Sequence, residues 1–339
     1  MWLKRLGAKV IGYALDPPTM PSLYNLCKVN DMVTNIKGDV RDYEHLHWAI
    51  KNYQPEIVFH LAAQALVRRS YQEPLATYAT NIMGTANLLE AMRKSPVVKA
   101  AVVVSSDKCY ENQEWLWGYR ENDPIGGSDP YSSSKGCTEL IAGAYLKSYF
   151  PAAQYGKHGM AIATARAGNV IGGGDWAKDR IIPDCVRAFI EQKPVSIRSP
   201  HAIRPWQHVL EPLGGYLLLA QKLYQSGSDY TGAWNFGPRD DDIKTVKWLV
   251  QYISGLWGEA NSWITDEGSH PYEANYLMLD CSRAQKQLGW RAQWNLELAL
   301  GKTVQWYKAY YSHADMLKIS LEQIAAYERQ LNGNLPGKI

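Results

Sequence analysis

A tyrosine and a lysine four residues apart could together accept a proton during an oxidation. Tyr131 and Lys135 lie in the stretch Asp-Pro-Tyr-Ser-Ser-Ser-Lys-Gly, residues 129–136. Asp129 is a good N-cap and Pro130 suits the first helical position, so we predict that a helix begins here. Tyr131 and Lys135 would then share one helical face, where the ammonium lowers the pKa of the phenol. The spacing therefore indicates a tyrosinate base, although a lone pair of this kind is common on helices.

Three more polar residues stand at the end of an apolar run. Ser106, Asp107 and Lys108 close a predicted strand that starts at Ala100. Taken alone, Asp107 is more often a loop acid and Lys108 a solvated cation. In the same cleft as Tyr131, they would add a carboxyl group and an amine to the tyrosinate base. Two proton-transfer pairs in one site predict a reaction of several steps.

The elements that must position these residues alternate between strand and helix. We predict strands at residues 9–16, 36–40, 56–63, 100–106 and 161–167, and helices at 43–53, 81–95 and from 129 onward. Such alternation predicts an α/β fold with a doubly wound parallel sheet, covered by helices on both faces. Ligands in that architecture bind at the carboxyl ends of the strands, where Asp16, Asp39, Ala62, Ala63 and Ser105 lie.

The second half of the chain has shorter elements. Predicted helices lie at residues 181–192, 211–225, 244–257, 282–288, 296–310 and 315–331, with strands at 195–198 and 234–237. We predict a Rossmann-like, dinucleotide-binding domain over residues 1–170, to which residues 205–237 return. Residues 171–204 and 238–331 would form a smaller, interleaved C-terminal domain for the substrate.

The position of Asp16 bears on where the fold starts. In a dinucleotide-binding unit, the acid that ends the second strand follows the first glycine of the phosphate loop by about 20 residues. Counting back that far from Asp16 passes Met1. We therefore expect residues 1–6 to be the last turns of the first helix, and the first strand and its glycine loop to be missing. Since that loop holds the pyrophosphate, we expect weak retention of the cofactor.

Composition and charge narrow the class of protein. The 339 residues carry a net charge of +3 without a basic block, which indicates neither nucleic acid nor an anionic membrane as partner. The five cysteines are scattered and never in C-x-x-C spacing, so the sequence supports neither a disulfide framework nor a zinc site, and a reducing cytosol fits. No segment approaches the roughly 20 apolar residues of a membrane-spanning helix.

Several of these motifs resemble one known family. They are Asp16, Gly38-Asp39-Val40-Arg41-Asp42, His60-Leu61-Ala62-Ala63, residues 81–89, Tyr131-x-x-x-Lys135 and residues 166–170. In this order they are similar to the extended short-chain dehydrogenase/reductase family of nucleotide-sugar epimerases and dehydratases. Residues 106–110, 172–176 and 203–209 are most similar to those of members that act on CDP-glucose. A GDP- or dTDP-sugar dehydratase or epimerase of the family stays open, as does a truncated, non-catalytic remnant.

The resemblance implies tightly held NAD and the 4,6-dehydration of CDP-glucose to CDP-4-keto-6-deoxyglucose, a step toward deoxysugars and O-antigen precursors. Tyr131 would take the C4 hydroxyl proton during oxidation, and the ketone would acidify C5. By position, Asp107 is the acid for the departing C6 hydroxyl and Lys108 the C5 base, with Ser106 beside them. An amine acts as a base near neutral pH only if its pKa is depressed, which burial and a nearby cation such as Lys135 would do.

The remaining roles that the resemblance implies are binding roles. The expected NAD contacts are Asp16, Asp39, Val40, Leu61, Ala62, Ala63, Tyr78, Ser105, Tyr131 and Lys135. The expected ligands of the nucleotide sugar are Asn169, Arg180, Arg204 and Gln207, since a planar guanidinium suits a diphosphate. His60 and His208 fall on apolar strands and are interpreted as satisfied core histidines. The family also implies a homodimer or homotetramer in the cytoplasm.

Overall fold

The computed structural model describes residues 1–258, 263–268 and 274–333. Its helices are α1 (Trp2–Arg5), α2 (Leu23–Leu26), α3 (Tyr43–Tyr53), α4 (Val67–Gln72), α5 (Pro74–Tyr78), α6 (Gly84–Arg93), α7 (Pro130–Ser148), α8 (Tyr155–His158), α9 (Ile181–Ile190), α10 (Leu210–Ser226), α11 (Val246–Trp257), α12 (Leu296–Tyr311) and α13 (Met316–Gly333). Its strands are β1 (Ile11–Ala14), β2 (Thr34–Lys37), β3 (Ile57–His60), β4 (Ala100–Val104), β5 (Ala161–Ala167), β6 (Val170–Ile171), β7 (Val195–Ile197), β8 (Ile203–Arg204), β9 (Gln207–His208), β10 (Gly232–Phe236), β11 (Lys244–Thr245) and β12 (Trp263–Thr265).

Side-chain caps explain where several helices begin. Asp42 Oδ1 accepts a hydrogen bond of 3.0 Å from His45 N at the start of α3. Asn295 Oδ1 accepts one of 2.9 Å from Leu298 N at the start of α12. Each cap satisfies a backbone donor that the first helical turn leaves without an intrahelical partner. Both helices begin at the residues that the sequence predicts.

The central sheet is parallel and lies in two parts. Strands β3, β4, β5 and β10 are neighbours in the order β10-β5-β4-β3, and β1 pairs with β2 in a separate ladder. A doubly wound fold orders its strands 3-2-1-4-5-6. Within the described residues no strand lies between β1 and β3, which is the position of strand 1 in that order. The predicted fold class, a Rossmann-like α/β fold, is confirmed.

Both faces of the four-stranded part are buried under helices. Alternate residues of β4 point to opposite faces, as the pleat requires. Val102 packs with Ala163 and Leu219 on the α10 side, while Val103 packs with Leu89 on the α6 and α7 side. Burial on both faces accounts for the uninterrupted apolar sequence of β4, and every residue of β5 is buried as well.

The C-terminal half builds a second core. Helices α9, α11 and α12 pack around β7, with Val195, Leu249 and Trp306 among the buried residues. A smaller cluster joins α1, α10 and α13 through Trp2 and Tyr327, whose rings are 5.7 Å apart. Residues 259–262 and 269–273 of the predicted substrate domain lie outside the described residues.

The structure differs from the predicted elements in two places. The strand predicted at residues 36–40 instead spans Thr34–Lys37 and ends before Gly38, where a Cβ would lie 2.2 Å from Cζ of Tyr13. Helices α4 and α5 were not predicted. They are short, Pro74 separates them, and both are stabilised by packing on α7 rather than by their own sequence.

No described helix has both the length and the apolar character that crossing a bilayer requires.

Candidate active site

The helix that carries the predicted base begins as its sequence requires. Asp129 Oδ1 accepts hydrogen bonds of 2.9 Å from both Tyr131 N and Ser132 N, and Pro130 occupies the first position of α7. This cap fixes the first turn and turns Tyr131 toward a cleft of about 750 Å³. The tyrosine is only 9% exposed.

The cleft lies at the carboxyl ends of β4 and β5, as expected for a doubly wound sheet. The sequence-predicted site residues that line it are Ser105, Ser106, Asp107, Lys108, Tyr131, Asn169, Arg180 and Arg204. The structure therefore brings together the predicted acid, both predicted bases and three of the four predicted sugar-nucleotide ligands.

Asp107 lies where burial favours the protonated form of its carboxyl group. It begins a single 3₁₀ turn, Asp107–Cys109, which Ser106 caps by accepting a hydrogen bond of 3.2 Å from Lys108 N. Ser106 Oγ donates to Asp107 Oδ1 over 2.9 Å, whereas Oδ2 has no hydrogen-bond partner among the described residues. Burial raises the pKa of Asp107, and the Lys108 charge only partly opposes this. A protonated carboxyl group at the wall of a cleft can act as a general acid.

The Tyr131 and Lys135 pair differs from the expectation in one respect. Lys135 is 5% exposed and its Nζ donates to the carbonyl oxygen of Val104 over 3.2 Å. Burial lowers the pKa of Lys135 to about 8. Burial also raises the pKa of Tyr131 to about 12, against the opposing effect of the Ser106 hydroxyl. The net shift of the Tyr131 pKa is therefore upward, opposite to the predicted direction, because desolvation of the phenol outweighs the effects that lower it.

The acids predicted to bind the cofactor lie at the same sheet edge but outside the lining of this cleft. Asp16 follows β1, is exposed and forms an ion pair with Lys37. Asp39 follows β2 and accepts 2.9 Å hydrogen bonds from both the backbone N and Nε of Arg41, which holds the pKa of its carboxyl below the usual range. Val40 is buried against Gly84, which begins α6.

The residues predicted to form the wall of the cofactor channel follow β3. Leu61 is exposed, while Ala62 and Ala63 are half-buried. The Tyr78 hydroxyl is 3.0 Å from Ser133 Oγ on α7. Eight predicted cofactor contacts thus lie outside the cleft lining. Six of them follow the carboxyl ends of β1, β2 and β3, and the other two are Tyr78 on α5 and Lys135 on α7.

The predicted substrate ligands divide into two groups. Arg180 Nη1 donates to Asp175 Oδ2 over 2.9 Å, and Arg204 Nη1 donates to the Ile203 carbonyl over 2.9 Å, both at the cleft. Gln207 does not reach the cleft. It is 2% exposed and its Nε2 donates to the carbonyl oxygen of Phe236 on β10 over 2.7 Å, which turns this side chain away from the cleft.

The two buried histidines are neutral. Burial lowers the pKa of both His60 and His208 to about 3. His60 Nε2 is 3.1 Å from Thr85 Oγ1, as a satisfied core histidine requires. His208 Nδ1 accepts a hydrogen bond of 3.3 Å from Leu210 N, but its Nε2 has no partner among the described residues. The interpretation as a fully satisfied side chain is therefore wrong for His208.

Sequence reasoning missed two buried charges beneath the site. Glu139, four residues after Lys135 on α7, forms an ion pair of 2.8 Å with Arg166 at the end of β5. Arg166 belongs to a motif that the sequence analysis used only for family resemblance. The i, i+4 spacing from Lys135 was the available signal for Glu139, but a single acid on a helix is usually solvated.

Comparisons with known proteins agree with this geometry. The chain is 54% identical to the CDP-glucose 4,6-dehydratase of Salmonella typhimurium over 96% of this chain and 91% of that protein. It is 26% identical to the dTDP-glucose 4,6-dehydratase of the same species, over 89% and 84%. A solved UDP-glucose 4-epimerase from Thermotoga maritima has the same fold, with a TM-score of 0.78 at 23% identity over 91% and 94% of the two chains.

A second solved structure shares this fold. It is a dTDP-glucose 4,6-dehydratase from Streptomyces venezuelae with NAD bound, with a TM-score of 0.77 at 22% identity over 91% and 90%. The family model described as GDP-mannose 4,6 dehydratase matches residues 14–303, which include every site residue named above. This chain is therefore a member of the GDP-mannose 4,6-dehydratase family.

Proposed function

We propose that this protein is an NAD-dependent hydro-lyase that converts CDP-glucose to CDP-4-keto-6-deoxyglucose. The observation that carries the proposal is the convergence of Asp107, Lys108 and Tyr131 on one cleft, a buried carboxyl group, an amine and a phenol. Dehydration across C5 and C6 needs an acid and a base in addition to the base that serves the oxidation. The strong likeness to a CDP-glucose 4,6-dehydratase supports this choice of substrate.

The residues present fit NAD as the cofactor. Asp16 supplies an exposed carboxylate at the end of β1, as hydroxyl groups of an adenosine ribose require, and Asp39 follows the adjoining strand. Tyr131 and Lys135 lie on one helical face for the nicotinamide end. When bound, NAD supplies the oxidant for C4 and the reductant for C6. Asp39, Val40, Leu61, Ala62, Ala63, Tyr78 and Ser105 complete the proposed contacts.

Tyr131 serves the first step as base for the C4 hydroxyl. Its phenol must lose a proton before it can accept one, so the Lys135 ammonium has to outweigh the burial that raises the Tyr131 pKa. Oxidation at C4 gives a ketone, which makes the hydrogen on C5 acidic. Tyr131 then holds the proton that came from the C4 hydroxyl.

Lys108 and Asp107 serve the second step. Lys108 takes the C5 proton while Asp107 gives its proton to the C6 hydroxyl, which leaves as water. Ser106 donates to Asp107 Oδ1, so the proton is placed on Oδ2, the atom without a partner among the described residues. In this step the C5–H and C6–O bonds break, the C5–C6 double bond forms, and the C6 hydroxyl leaves as water with the proton from Asp107.

The diphosphate of the substrate requires cations. We assign this role to Arg180 and Arg204, with Asn169 as a further ligand of the nucleotide sugar. Both arginines line the cleft. A guanidinium offers two parallel donors to phosphate oxygens. Gln207, buried at the start of β9, would act only by supporting the chain before it.

The domain division and assembly are further parts of the proposal. Residues 1–170 with 205–237 would bind NAD, and residues 171–204 with 238–331 the nucleotide sugar; the core built around Val195, Leu249 and Trp306 supports this. We also propose a cytosolic homodimer or homotetramer. Exposed Leu75, Met83, Leu140 and Tyr149 lie on elements that pack together around α7, and apolar groups in that arrangement suit a self-association surface.

A substrate comparison tests the proposal. The protein, supplied with NAD, is incubated separately with CDP-glucose, dTDP-glucose and GDP-mannose, and products are identified by mass and by NMR of the sugar. We expect a product one water lighter with a ketone at C4, formed fastest from CDP-glucose. Inversion at C4 without loss of water would instead establish an epimerase, and conversion of none of the three would reject the proposed activity.

A further inference from the structure

Three charged side chains are buried together beneath the cleft. Lys135, Glu139 and Arg166 are exposed by only 5%, 7% and 3%. Charges of this kind are rarely buried unless they are paired, because desolvation is costly. Glu139 neighbours both cations. It is bonded directly to Arg166 and lies one helical turn from Lys135.

The carboxylate of Glu139 connects three segments of the site. Oε1 accepts a hydrogen bond from Ser105 Oγ, next to the Ser106 to Lys108 turn. Oε2 accepts from Thr164 Oγ1 over 2.7 Å and from Arg166 Nη2 over 2.8 Å. Glu139 itself is on α7 with Tyr131 and Lys135. A single buried side chain therefore fixes the end of β4 and the end of β5 against the catalytic helix.

Arg166 is held in place by an aromatic side chain and a backbone carbonyl. Its Nη1 donates to Tyr110 Oη over 2.6 Å and to the Glu121 carbonyl over 3.0 Å. The guanidinium carbon is 4.8 Å from the centre of the Tyr110 ring. Tyr110 Oη donates to Asn235 Oδ1 on β10 over 2.7 Å. These contacts fix the position of Arg166 independently of Lys135. Among the described residues in these contacts, Glu139 is the one that lies next to both cations.

The other groups around Lys135 do not replace Glu139. His60 faces it from β3 and is neutral, and the Cys109 thiol faces it from the 3₁₀ turn with its pKa raised well above the usual value by burial. Arg166 adds a second positive charge from β5. Glu139 is thus the one anion that faces Lys135 among these described groups, and its charge raises the Lys135 pKa against the larger effect of burial.

We propose that Glu139 is a positioning residue, which keeps the Lys135 ammonium charged one helical turn from Tyr131, while Arg166 holds the Glu139 carboxylate in place. The consequence for catalysis rests on the function proposed above, because only a charged Lys135 can help Tyr131 lose its proton. The electrostatic part does not rest on that function and can be measured without substrate or cofactor.

The test measures the titration of Lys135 directly. Wild-type protein and the variants Glu139→Gln and Glu139→Asp are labelled briefly with acetic anhydride between pH 6 and 11, and acetylation of the peptide that contains Lys135 is quantified by mass spectrometry. A unit charge one helical turn away shifts a buried group by about 1 to 2 pKa units, so we expect the Glu139→Gln midpoint to fall by that amount. Glu139→Asp should lie between the two, and Glu44→Gln, at an exposed site on α3, should match the wild type.

Activity provides the second readout. With a less charged Lys135, the alkaline limb of kcat moves to lower pH in Glu139→Gln and returns part of the way in Glu139→Asp, with little change in KM. An unchanged Lys135 midpoint in Glu139→Gln overturns the proposal, whatever the activity. If Glu139→Gln does not fold, a Glu139→Asp midpoint that falls by the full 1 to 2 pKa units expected for complete loss of the charge overturns it equally, because aspartate keeps that charge. A shifted midpoint in a protein without dehydratase activity upholds the electrostatic inference and rejects the proposed function separately.

Discussion

The separate duties assigned to Asp107 and Lys108 can be distinguished by replacing each in turn. Asp107→Asn keeps the size of the side chain and can still accept from Ser106, but it has no dissociable proton for the leaving hydroxyl. General acid catalysis contributes about 10²- to 10⁴-fold, which is roughly 3 to 5 kcal/mol of barrier. The wild-type carboxyl is 3% exposed, so water is poorly placed to replace it. We therefore expect the loss in kcat to fall in the upper part of that range.

The assay follows exchange at C5 and loss of water at C6 in the same reaction. In D₂O, Asp107→Asn should still incorporate deuterium at C5, because Lys108 removes and returns that proton, yet the C6 hydroxyl should remain. Lys108→Ala should lose both exchange and dehydration. Asp229→Asn, at an exposed position remote from the cleft, is the matched control and should behave as wild type.

Two results would refute this division of roles. Normal C5 exchange in Lys108→Ala would show that another group is the base. Dehydration by Asp107→Asn at the wild-type rate would show that its carboxyl group is not the acid. Loss of exchange in both variants, with folding intact, would show that the two side chains act as one unit.

Two further predictions concern stability. Gly173→Ala should lower the free energy of unfolding by about 1 to 3 kcal/mol in urea titrations, because its Cβ would lie 2.1 Å from Cγ of the buried Trp306; Gly143→Ala on α7, where a Cβ meets nothing within 4 Å, should not destabilise. His208 has its pKa lowered to about 3, so the folded protein binds fewer protons than the unfolded chain below pH 6.5 and loses stability as the pH falls. His208→Gln should reduce that acid dependence by about 1.4 kcal/mol per pH unit between pH 6 and 4, and an unchanged slope would contradict the assignment of His208 as a neutral core residue.

Local signals in the sequence were sufficient for the elements that carry the chemistry. The cap at Asp129 and the apolar strand before Ser105 predicted where Tyr131 and Asp107 would stand, and the parallel sheet brought them to one edge. The same reasoning failed at Gln207, because the direction in which a short strand turns its side chains depends on the neighbouring β6 and β10 strands. It also missed α4 and α5, whose helical state comes from packing on α7.

Electrostatics was the least predictable part of the site. The spacing of Tyr131 and Lys135 was correct, but the sign of the Tyr131 shift depends on how deeply the phenol is buried. Glu139 could not be distinguished from a solvated helix residue until Thr164 and Arg166 were seen to meet it. Burial and ion pairing depend on residues that are distant in the sequence, so they could not be predicted before the fold was known.

We expect one active site to oxidise C4 and later to reduce C6 of the same sugar. The most direct measurement uses CDP-glucose that carries deuterium at C4 and carbon-13 throughout the glucose, mixed with an equal amount of unlabelled substrate, and NMR and mass analysis of the product. Deuterium should appear at C6 of the carbon-13 product alone, with a ketone left at C4. A 4-keto product whose C6 lacks deuterium, or deuterium at C6 of the carbon-12 product, would contradict this expectation.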